Sequence, residues 1–296
     1  MVPIVLYCKS YLGDLLRARR LALSIQKFNT DAILFYLSAP EAELPLFRAQ
    51  LAEFNVIFIS DEEIIATNAK HTQEQINAMP GRISQQIVKS EFWRLGLSDN
   101  YVCLDSDNEF IRPFYKADFL AADGHPYTVM TEGKEFLEFS ARYHLLAVPV
   151  NFKRGCTQIQ DLFGRSGKAY SFGIPPLVWS SKVWESLETE MLNPDNQSFA
   201  ELIVQHPHEL RIYGEALLKY RAIPLWPCED LFKNYLYQSQ YLYDRKRGVT
   251  TEMLSKNYLG VVRQSNWDGD EYGAPKKSFA SKLNRKIKRY IRWLSV

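Results

Sequence analysis

The sequence of 296 residues contains few cysteines, and none of them forms a C-x-x-C pair. The four are Cys8, Cys103, Cys156 and Cys228, and they lie far apart along the chain. Closely spaced cysteines are typical of structural zinc sites and of small disulfide-stabilised folds. Their absence argues against both, and because Cys8 and Cys103 lie in apolar runs, we expect buried thiols in a reducing compartment.

Long apolar runs are also missing. No stretch approaches the roughly 20 residues that a helix needs to span a bilayer. The chain begins directly with the strand-like run Met1-Val-Pro-Ile-Val-Leu-Tyr, without the basic and apolar regions of a signal peptide. These features predict a cytoplasmic protein.

Two common nucleotide-binding motifs, G-x-x-x-x-G-K-[ST] and G-x-G-x-x-G, are absent, and there is no internal repeat. The sequence therefore does not indicate a P-loop enzyme, a dinucleotide-binding domain of the usual kind, or a repeat array. Hydrophobic residues nevertheless make up 46% of the chain, which is enough to bury a full core.

The first part of the sequence alternates between strand and helix patterns. Strands are predicted at Pro3–Cys8, Ala32–Leu37 and Val56–Ile59, and helices at Leu15–Phe28 and Glu41–Phe54. This order predicts an α/β fold with a mainly parallel sheet and helices on both faces. Ligands of such folds bind beyond the carboxyl ends of the strands.

A further predicted helix, Arg82–Leu95, leads to the short apolar strand Tyr101–Leu104. The strand is followed at once by Asp105-Ser106-Asp107, a D-x-D motif. Two carboxylates at the end of a buried strand are costly without a positive partner, and Mg²⁺ or Mn²⁺ is a common one. The alternative is that the aspartates only cap a turn.

For Lys89 and for a pair of tryptophans, the sequence leaves two interpretations open. Lys89, on the helix before the D-x-D strand, is either a solvated surface lysine or a group that assists a bound phosphate. Trp179 and Trp184 either form a stacking surface for a sugar or fill the core.

The rest of the chain has two further strand-like runs. The run Tyr143–Val150 is a candidate strand, and Asn257–Ser265 is predicted as the last strand.

The order of motifs resembles that of the GT-A glycosyltransferases and, more narrowly, of a bacterial group of glycosyltransferase-like proteins. The likeness lies in Gln85-Gln-Ile-Val-Lys89, Leu104-Asp-Ser-Asp-Asn-Glu-Phe-Ile-Arg-Pro113, Pro175-Pro-Leu-Val-Trp179 and Glu209-Leu-Arg-Ile-Tyr-Gly214. It spans roughly residues 2–266. The resemblance implies one GT-A (Rossmann-like) catalytic domain, residues 1–275, and a nucleotide-sugar donor.

The resemblance also implies roles for individual residues. Donor contacts would come from Cys8, Lys9, Ser10 and Asp14 after the first strand, from Lys89, and from Asp105 and Ser106. A divalent cation (Mn²⁺ or Mg²⁺) bound by Asp105 and Asp107 would bridge to the donor diphosphate. Glu209, at a helix start, would be the general base that deprotonates the acceptor hydroxyl. The histidine that often completes the metal site in such enzymes is not identified, and Gln264 or Asn266 are candidates by position only.

The last segment, residues 276–296, carries eight of the 36 basic side chains and no acidic one, which leaves 28 basic against 34 acidic in the rest. Its apolar residues fall on one helical stripe: Phe279, Leu283, Ile287, Tyr290, Ile291 and Leu294. This pattern predicts an amphipathic helix on an anionic membrane surface. A helix docked on the protein body is the alternative. The acidic body argues against nucleic acid.

These observations predict a metal-dependent glycosyltransferase, peripheral on the inner face of the membrane. It would add a sugar to a glycan or lipid-linked acceptor in bacterial surface polysaccharide synthesis. One alternative is a phosphatase of the haloacid-dehalogenase type, but there the second Asp is followed, after one residue, by Thr or Val. A non-catalytic, membrane-peripheral carbohydrate-binding or assembly protein is the other.

Overall fold

The structure is a computed structural model, and it describes residues 2–142, residue 145 and residues 147–264. The strands are β1 (Val2–Lys9), β2 (Phe35–Ala39), β3 (Val56–Ser60), β4 (Ser98–Leu104), β5 (Asn108–Phe110), β6 (Tyr127–Val129), β7 (Leu177–Ser180), β8 (Trp226–Cys228), β9 (Phe232–Tyr235) and β10 (Gly260–Arg263). The first helices are α1 (Leu15–Phe28), α2 (Leu44–Gln50), α3 (Asp61–Ile65), α4 (Gln73–Asn77), α5 (Gly81–Glu91) and α6 (Lys134–Arg142). They are followed by α7 (Ala147–Leu162), α8 (Ser181–Leu187), α9 (Phe199–Gln205), α10 (Glu209–Tyr220), α11 (Gln238–Lys246) and α12 (Thr251–Ser255).

The central sheet has the strand order β3-β2-β1-β4-β7. The first four strands are parallel, and β7 is antiparallel to β4. The predicted fold class, a mainly parallel α/β sheet, is confirmed. Cys8 near the end of β1 pairs with Leu104 at the end of β4, so the loops after these two strands leave the sheet side by side.

Helices cover both faces of the sheet because the side chains of β1 alternate between two cores. Val5 and Tyr7 pack in a cluster that includes residues of α5, α8 and α10. Ile4, Leu6 and Cys8 pack in a second cluster with α1 and α2. Each face of the buried strand therefore contributes to its own hydrophobic layer.

The two tryptophans belong to the first of these cores. Trp179 and Trp184 are both buried and meet edge to face, with ring centroids 5.1 Å apart. Tyr213 packs against both rings, and its hydroxyl accepts a hydrogen bond of 2.8 Å from the backbone N–H of Ser180. Of the two interpretations, filling of the core is therefore the one the structure shows.

A second, smaller sheet lies beyond the D-x-D motif and has the order β5-β10-β9. Its central strand β10 is antiparallel to β5 and parallel to β9. A two-stranded sheet, β6-β8, completes this part of the molecule. The predicted last strand, Asn257–Ser265, is present but shorter.

Several predicted boundaries differ from the structure. The candidate strand at Tyr143–Val150 is wrong, because α7 begins within that range at Ala147 and buries Cys156 and Ile159 at helical spacing. A short apolar run does not distinguish a strand from part of a helix. The predicted helix Glu41–Phe54 is reduced to a 3-10 turn and α2, and the second strand begins three residues later than expected.

The basic segment 276–296 lies outside the described residues, so its predicted helix stays a prediction. Within the part of the chain that the structure describes, no helix is long and apolar enough to cross a membrane.

Candidate active site

Three of the predicted donor-binding residues meet where β1 and β4 end. The Ser106 hydroxyl donates to the Ser10 hydroxyl at 3.1 Å, and the Cys8 thiol lies 4.0 Å from the Ser106 oxygen. All three side chains are buried, and Cys8 belongs to the hydrophobic core. The structure thus brings the three residues together, while a contact of any of them with a nucleotide remains a prediction.

The D-x-D motif lies in a tight turn that Asn108 closes. The Asp105 N–H donates to the Asn108 side-chain oxygen at 3.0 Å, and the Asn108 N–H donates to the Asp105 carbonyl at the same distance. Asn108 itself is buried. No role was predicted for Asn108, although an Asn directly after the motif is a recognisable turn former.

Lys89 is buried and forms an ion pair with Asp105. Its side chain is only 4% exposed, whereas that of Asp105 is 30% exposed. Burial acts to lower the pKa of Lys89, but Asp105 together with Cys103 and Glu209 outweighs this effect, and the pKa is raised. Lys89 is therefore protonated at neutral pH, and its interpretation as a solvated surface lysine is wrong.

Glu209 is the first residue of α10 and lies close to the same pair. The residue is only 9% exposed, and its backbone N–H donates to the side-chain oxygen of Gln86 at 3.3 Å. Burial raises the pKa of Glu209 to about 7; the positive charge of Lys89 opposes this effect, and Asp105 adds to it. A carboxylate with a pKa near the working pH is suited to accept a proton during a reaction.

The loop after β1 places the charges of Lys9 and Asp14 in ion pairs of their own. Lys9 pairs with Asp61 at 3.2 Å, and its ammonium group also donates to the carbonyl of Ser10 at 2.9 Å. Asp14 pairs with Arg17 at 2.6 Å, and burial raises its pKa in spite of this partner. Both predicted donor-binding residues thus have charged partners of their own, and a contact of either with a nucleotide remains a prediction.

A cavity of about 300 Å³ opens beside Glu209. Parts of α6, α7, α10 and β9 line it, together with residues 171–174 before β7. Its lining residues include Thr131, Glu135, Phe136, Phe152, Ser171, Ile174, His208, Arg211, Asp230, Asn234 and Gln240. None of these residues was predicted as a site residue, because they come from separate segments whose only common property is their position in the fold.

The two aspartates of the motif are the right kind of ligand for a hard divalent cation. Mg²⁺ is commonly held by one or two carboxylates, and substrate phosphates and water supply the other ligands. No group of three or more His, Cys, Asp or Glu side chains among the described residues is arranged to hold a metal ion. The carboxylates of Asp105 and Asp107 are of the type that such a cation takes, and Asp105 would be shared with Lys89.

The third metal ligand stays a prediction. Gln264 is half-buried at the end of β10, where its N–H donates to the Tyr235 carbonyl at 3.4 Å. The other candidate, Asn266, lies outside the described residues.

Comparison with known proteins gives one sequence family and several similar folds. Residues 1–236 match the model of DUF6492, a family of unknown function. No curated protein matches the chain.

Among solved structures, mouse xyloside xylosyltransferase 1 in its apo form is 9% identical, with a TM-score of 0.48 over 92% of this chain and 99% of that one. The galactosyltransferase LgtC with donor and acceptor sugar analogues is 13% identical, with a TM-score of 0.49 over 88% and 87%. The bifunctional glycosyltransferase WbbM in its apo form is 11% identical, with a TM-score of 0.48 over 89% and 46%. At TM-scores below 0.5, these similarities support no conclusion about activity or substrates.

Proposed function

We infer a function for this chain, which belongs to the DUF6492 family, from the arrangement of Lys89, Asp105 and Glu209. We propose that it is a glycosyltransferase that moves a sugar from a nucleotide-sugar donor to an acceptor hydroxyl. The observation that carries the proposal is that three groups lie together after the end of β4: the buried cation Lys89, the partly exposed carboxylate Asp105 and the buried carboxyl of Glu209, whose pKa is about 7. Glu209 also lines the neighbouring cavity. The strand ends are where ligands of parallel α/β folds bind.

In this proposal, Glu209 accepts the proton of the acceptor hydroxyl as the hydroxyl oxygen attacks the anomeric carbon of the donor sugar. The bond from that carbon to the diphosphate oxygen breaks, and its electron pair leaves with the nucleoside diphosphate. Lys89, which is protonated at neutral pH, stabilises the negative charge that develops on the diphosphate. A divalent cation bound by Asp105 and Asp107 would supply further positive charge to the same oxygens.

The donor nucleoside is proposed to bind along the loop after β1, which contains Lys9, Ser10 and Asp14. The acceptor is proposed to enter the cavity beside Glu209, because the general base must lie within hydrogen-bond reach of the hydroxyl. A glycan or lipid-linked acceptor, in bacterial surface polysaccharide synthesis on the inner face of the membrane, stays the expected substrate class.

The proposal is tested by hydrolysis of UDP-, GDP-, CMP- and dTDP-sugars with Mn²⁺ and with a chelator. We expect the wild type to hydrolyse one of these donors, and the chelator and Asp107→Asn each to reduce the rate roughly tenfold or more. Asp99→Asn is a matched control, because Asp99 is exposed near the opposite end of β4. Undiminished turnover by Asp107→Asn would remove the metal assignment, and hydrolysis of no donor would refute the proposed activity.

A further inference from the structure

The cavity beside Glu209 has one positively charged wall, formed where α7 and α10 face each other. The guanidinium of Arg211 lies over Gly155, where a Cβ atom would come within 2.6 Å of Nη1. It also lies on the ring of Phe152, 5.3 Å from the ring centroid. Because Gly155 has no side chain, the guanidinium of Arg211 can occupy this space at the edge of the cavity.

Arg211 forms no salt bridge with any residue in the described part of the chain, unlike other partly buried arginines of this protein. Arg165 pairs with Glu215 of the same helix α10 at 2.8 Å, and Arg94 pairs with Glu188 at the same distance. The Cys156 thiol is the hydrogen-bonding neighbour of Arg211, and the charge of Glu209 acts on it without forming an ion pair. Burial lowers its pKa, but a guanidinium remains charged in proteins.

Burying a cation that has no ion-pair partner costs free energy, and an anionic ligand that pairs with it would recover this cost. His208 lies next to the guanidinium, since a Cβ atom on Gly155 would also be 3.5 Å from its Nε2 atom. Burial and the nearby Arg211 lower the pKa of His208 to about 4, so this imidazole is neutral at pH 7. It is available as a neutral hydrogen-bonding group beside the cation.

Carboxylates also line this cavity. Asp230 accepts no hydrogen bond from another described residue, and burial together with Glu135 and Glu229 raises its pKa to about 6. Its Oδ1 atom would lie 3.0 Å from a Cβ atom on Gly173, which lines the cavity. Glu135 is turned towards Lys233, with which it forms an ion pair. Asp230 and Glu209 are therefore the carboxylates available to accept hydrogen bonds from hydroxyl groups.

We propose that this cavity binds a sugar unit that carries an anionic substituent, a carboxylate or a phosphate, and that Arg211 pairs with that substituent. The hydroxyl groups of the sugar donate to Asp230 and Glu209, so the bound unit lies across the cavity with its anion towards α7. A guanidinium suits both anions, because its parallel N–H groups match two oxygens of either. This inference deepens the proposed function, since it identifies the acceptor as an acidic sugar.

The test measures binding of four probes by titration calorimetry: glucose, glucuronate, glucose 6-phosphate and inorganic phosphate. We expect the wild type to bind glucuronate or glucose 6-phosphate roughly tenfold more tightly than glucose or inorganic phosphate. Which of the two binds identifies the substituent. Arg211→Gln should lose this preference, and Arg211→Lys should keep part of it, because an ammonium does not form the two parallel hydrogen bonds.

Arg154→Gln is the matched control, because it removes the same charge at an exposed position of α7 next to Gly155. Its preference should equal that of the wild type. Three results would overturn the inference: no preference for either acidic sugar at millimolar concentrations, equal binding of inorganic phosphate, or an unchanged preference in folded Arg211→Gln. Because no donor is present, a failure of the proposed transfer reaction would appear separately, in the donor hydrolysis assay.

Discussion

At the scale of single residues, the candidate site depends on three neighbouring groups, Lys89, Asp105 and Glu209, and the pKa values of Lys89 and Glu209 respond to the charges around them. Lys89 is buried and still positively charged because Asp105 is beside it. Glu209 is buried near both, and the desolvation of its carboxylate is only partly offset by Lys89. As a result, the Glu209 carboxyl changes its protonation near neutral pH, next to the ion pair of Lys89 and Asp105.

Glu209→Gln is expected to affect activity and stability in opposite directions. Loss of the base should reduce kcat by about 10²- to 10⁴-fold and remove the rise of kcat/KM with pH near 7. The folded-state pKa of Glu209, about 7, lies above the ordinary value near 4.5, so the folded protein binds this proton more tightly than the unfolded chain. The contribution of Glu209 to the free energy of unfolding is therefore present at low pH and is lost as the pH rises through 7.

The variant should consequently be more stable than the wild type at pH 8, by an amount on the order of 2 kcal/mol, and should gain little at pH 4. Urea unfolding at the two pH values measures the stability, and a pH–rate profile measures the activity. Glu252→Gln, an exposed glutamate of α12, serves as the control. A variant with wild-type kcat would exclude Glu209 as the base.

The sequence predicts some of these residues and not others, for a physical reason. Asp105 and Asp107 are recognisable because the buried strand and the carboxylates are adjacent in the chain. The burial of Lys89 is not predictable in the same way, since α9 and α10, more than a hundred residues later, cover that face of α5. Arg211 and Asp230 carry no local signal, because their significance lies in the cavity that they share.

At the scale of secondary structure, α10 is the element that holds Glu209, the proposed general base, in place. Its buried face packs into the core with Trp179 and Trp184, and Tyr213 links it to β7. Gly214 allows the ring of Phe172 to approach the helix backbone closely; a Cβ atom there would lie 2.2 Å from the ring. Phe172 is itself buried, so its ring has little room to move away.

Gly214→Ala is therefore expected to destabilise the protein by about 1–3 kcal/mol, despite the better helix propensity of alanine. Gly81→Ala is the matched control, because Gly81 begins α5 and a Cβ atom there would meet nothing within 4 Å. That change should be neutral or slightly stabilising. Equal unfolding midpoints in urea for the two variants would show that the contact with Phe172 does not constrain α10.

Helix α1 shows when an element can be predicted from the sequence alone. Its predicted bounds, Leu15–Phe28, are those of the structure, because a regular apolar stripe is followed by a break in the pattern. Helix α7 was not predicted, and a candidate strand overlaps its start, since Pro149 and the small apolar run before it do not show helical periodicity. The short helix α4 was missed within a polar loop, although Thr72 and Gln75 form a capping box there.

At the scale of the whole molecule, the chain is divided between a mildly acidic body and a basic last segment. Alternating strand and helix patterns were enough to predict the parallel sheet, and the structure confirms it. The second sheet, β5-β10-β9, was not predicted, because it joins a strand next to the D-x-D motif to strands more than 120 residues later. Pairings of this kind leave no trace in local sequence.

Deletion of residues 276–296 is expected to reduce binding to anionic vesicles, because eight basic side chains are removed with an apolar stripe. Binding to vesicles that contain phosphatidylserine is measured by co-sedimentation with the full chain and the deletion variant. Donor hydrolysis should be unchanged, since the described site lies before residue 265. Equal vesicle binding by the two proteins would refute the proposed membrane contact.

Helix α5 touches both halves of the candidate site from one of its faces. Gln86 holds the backbone of Glu209, and Lys89, three residues later, holds Asp105. Side chains three residues apart lie about one turn, or roughly 5 Å, from each other along a helix. In the proposed reaction, the spacing between Glu209 and Asp105 is thus set by a single helix, so that a tilt of α5 would move both residues together and preserve their alignment.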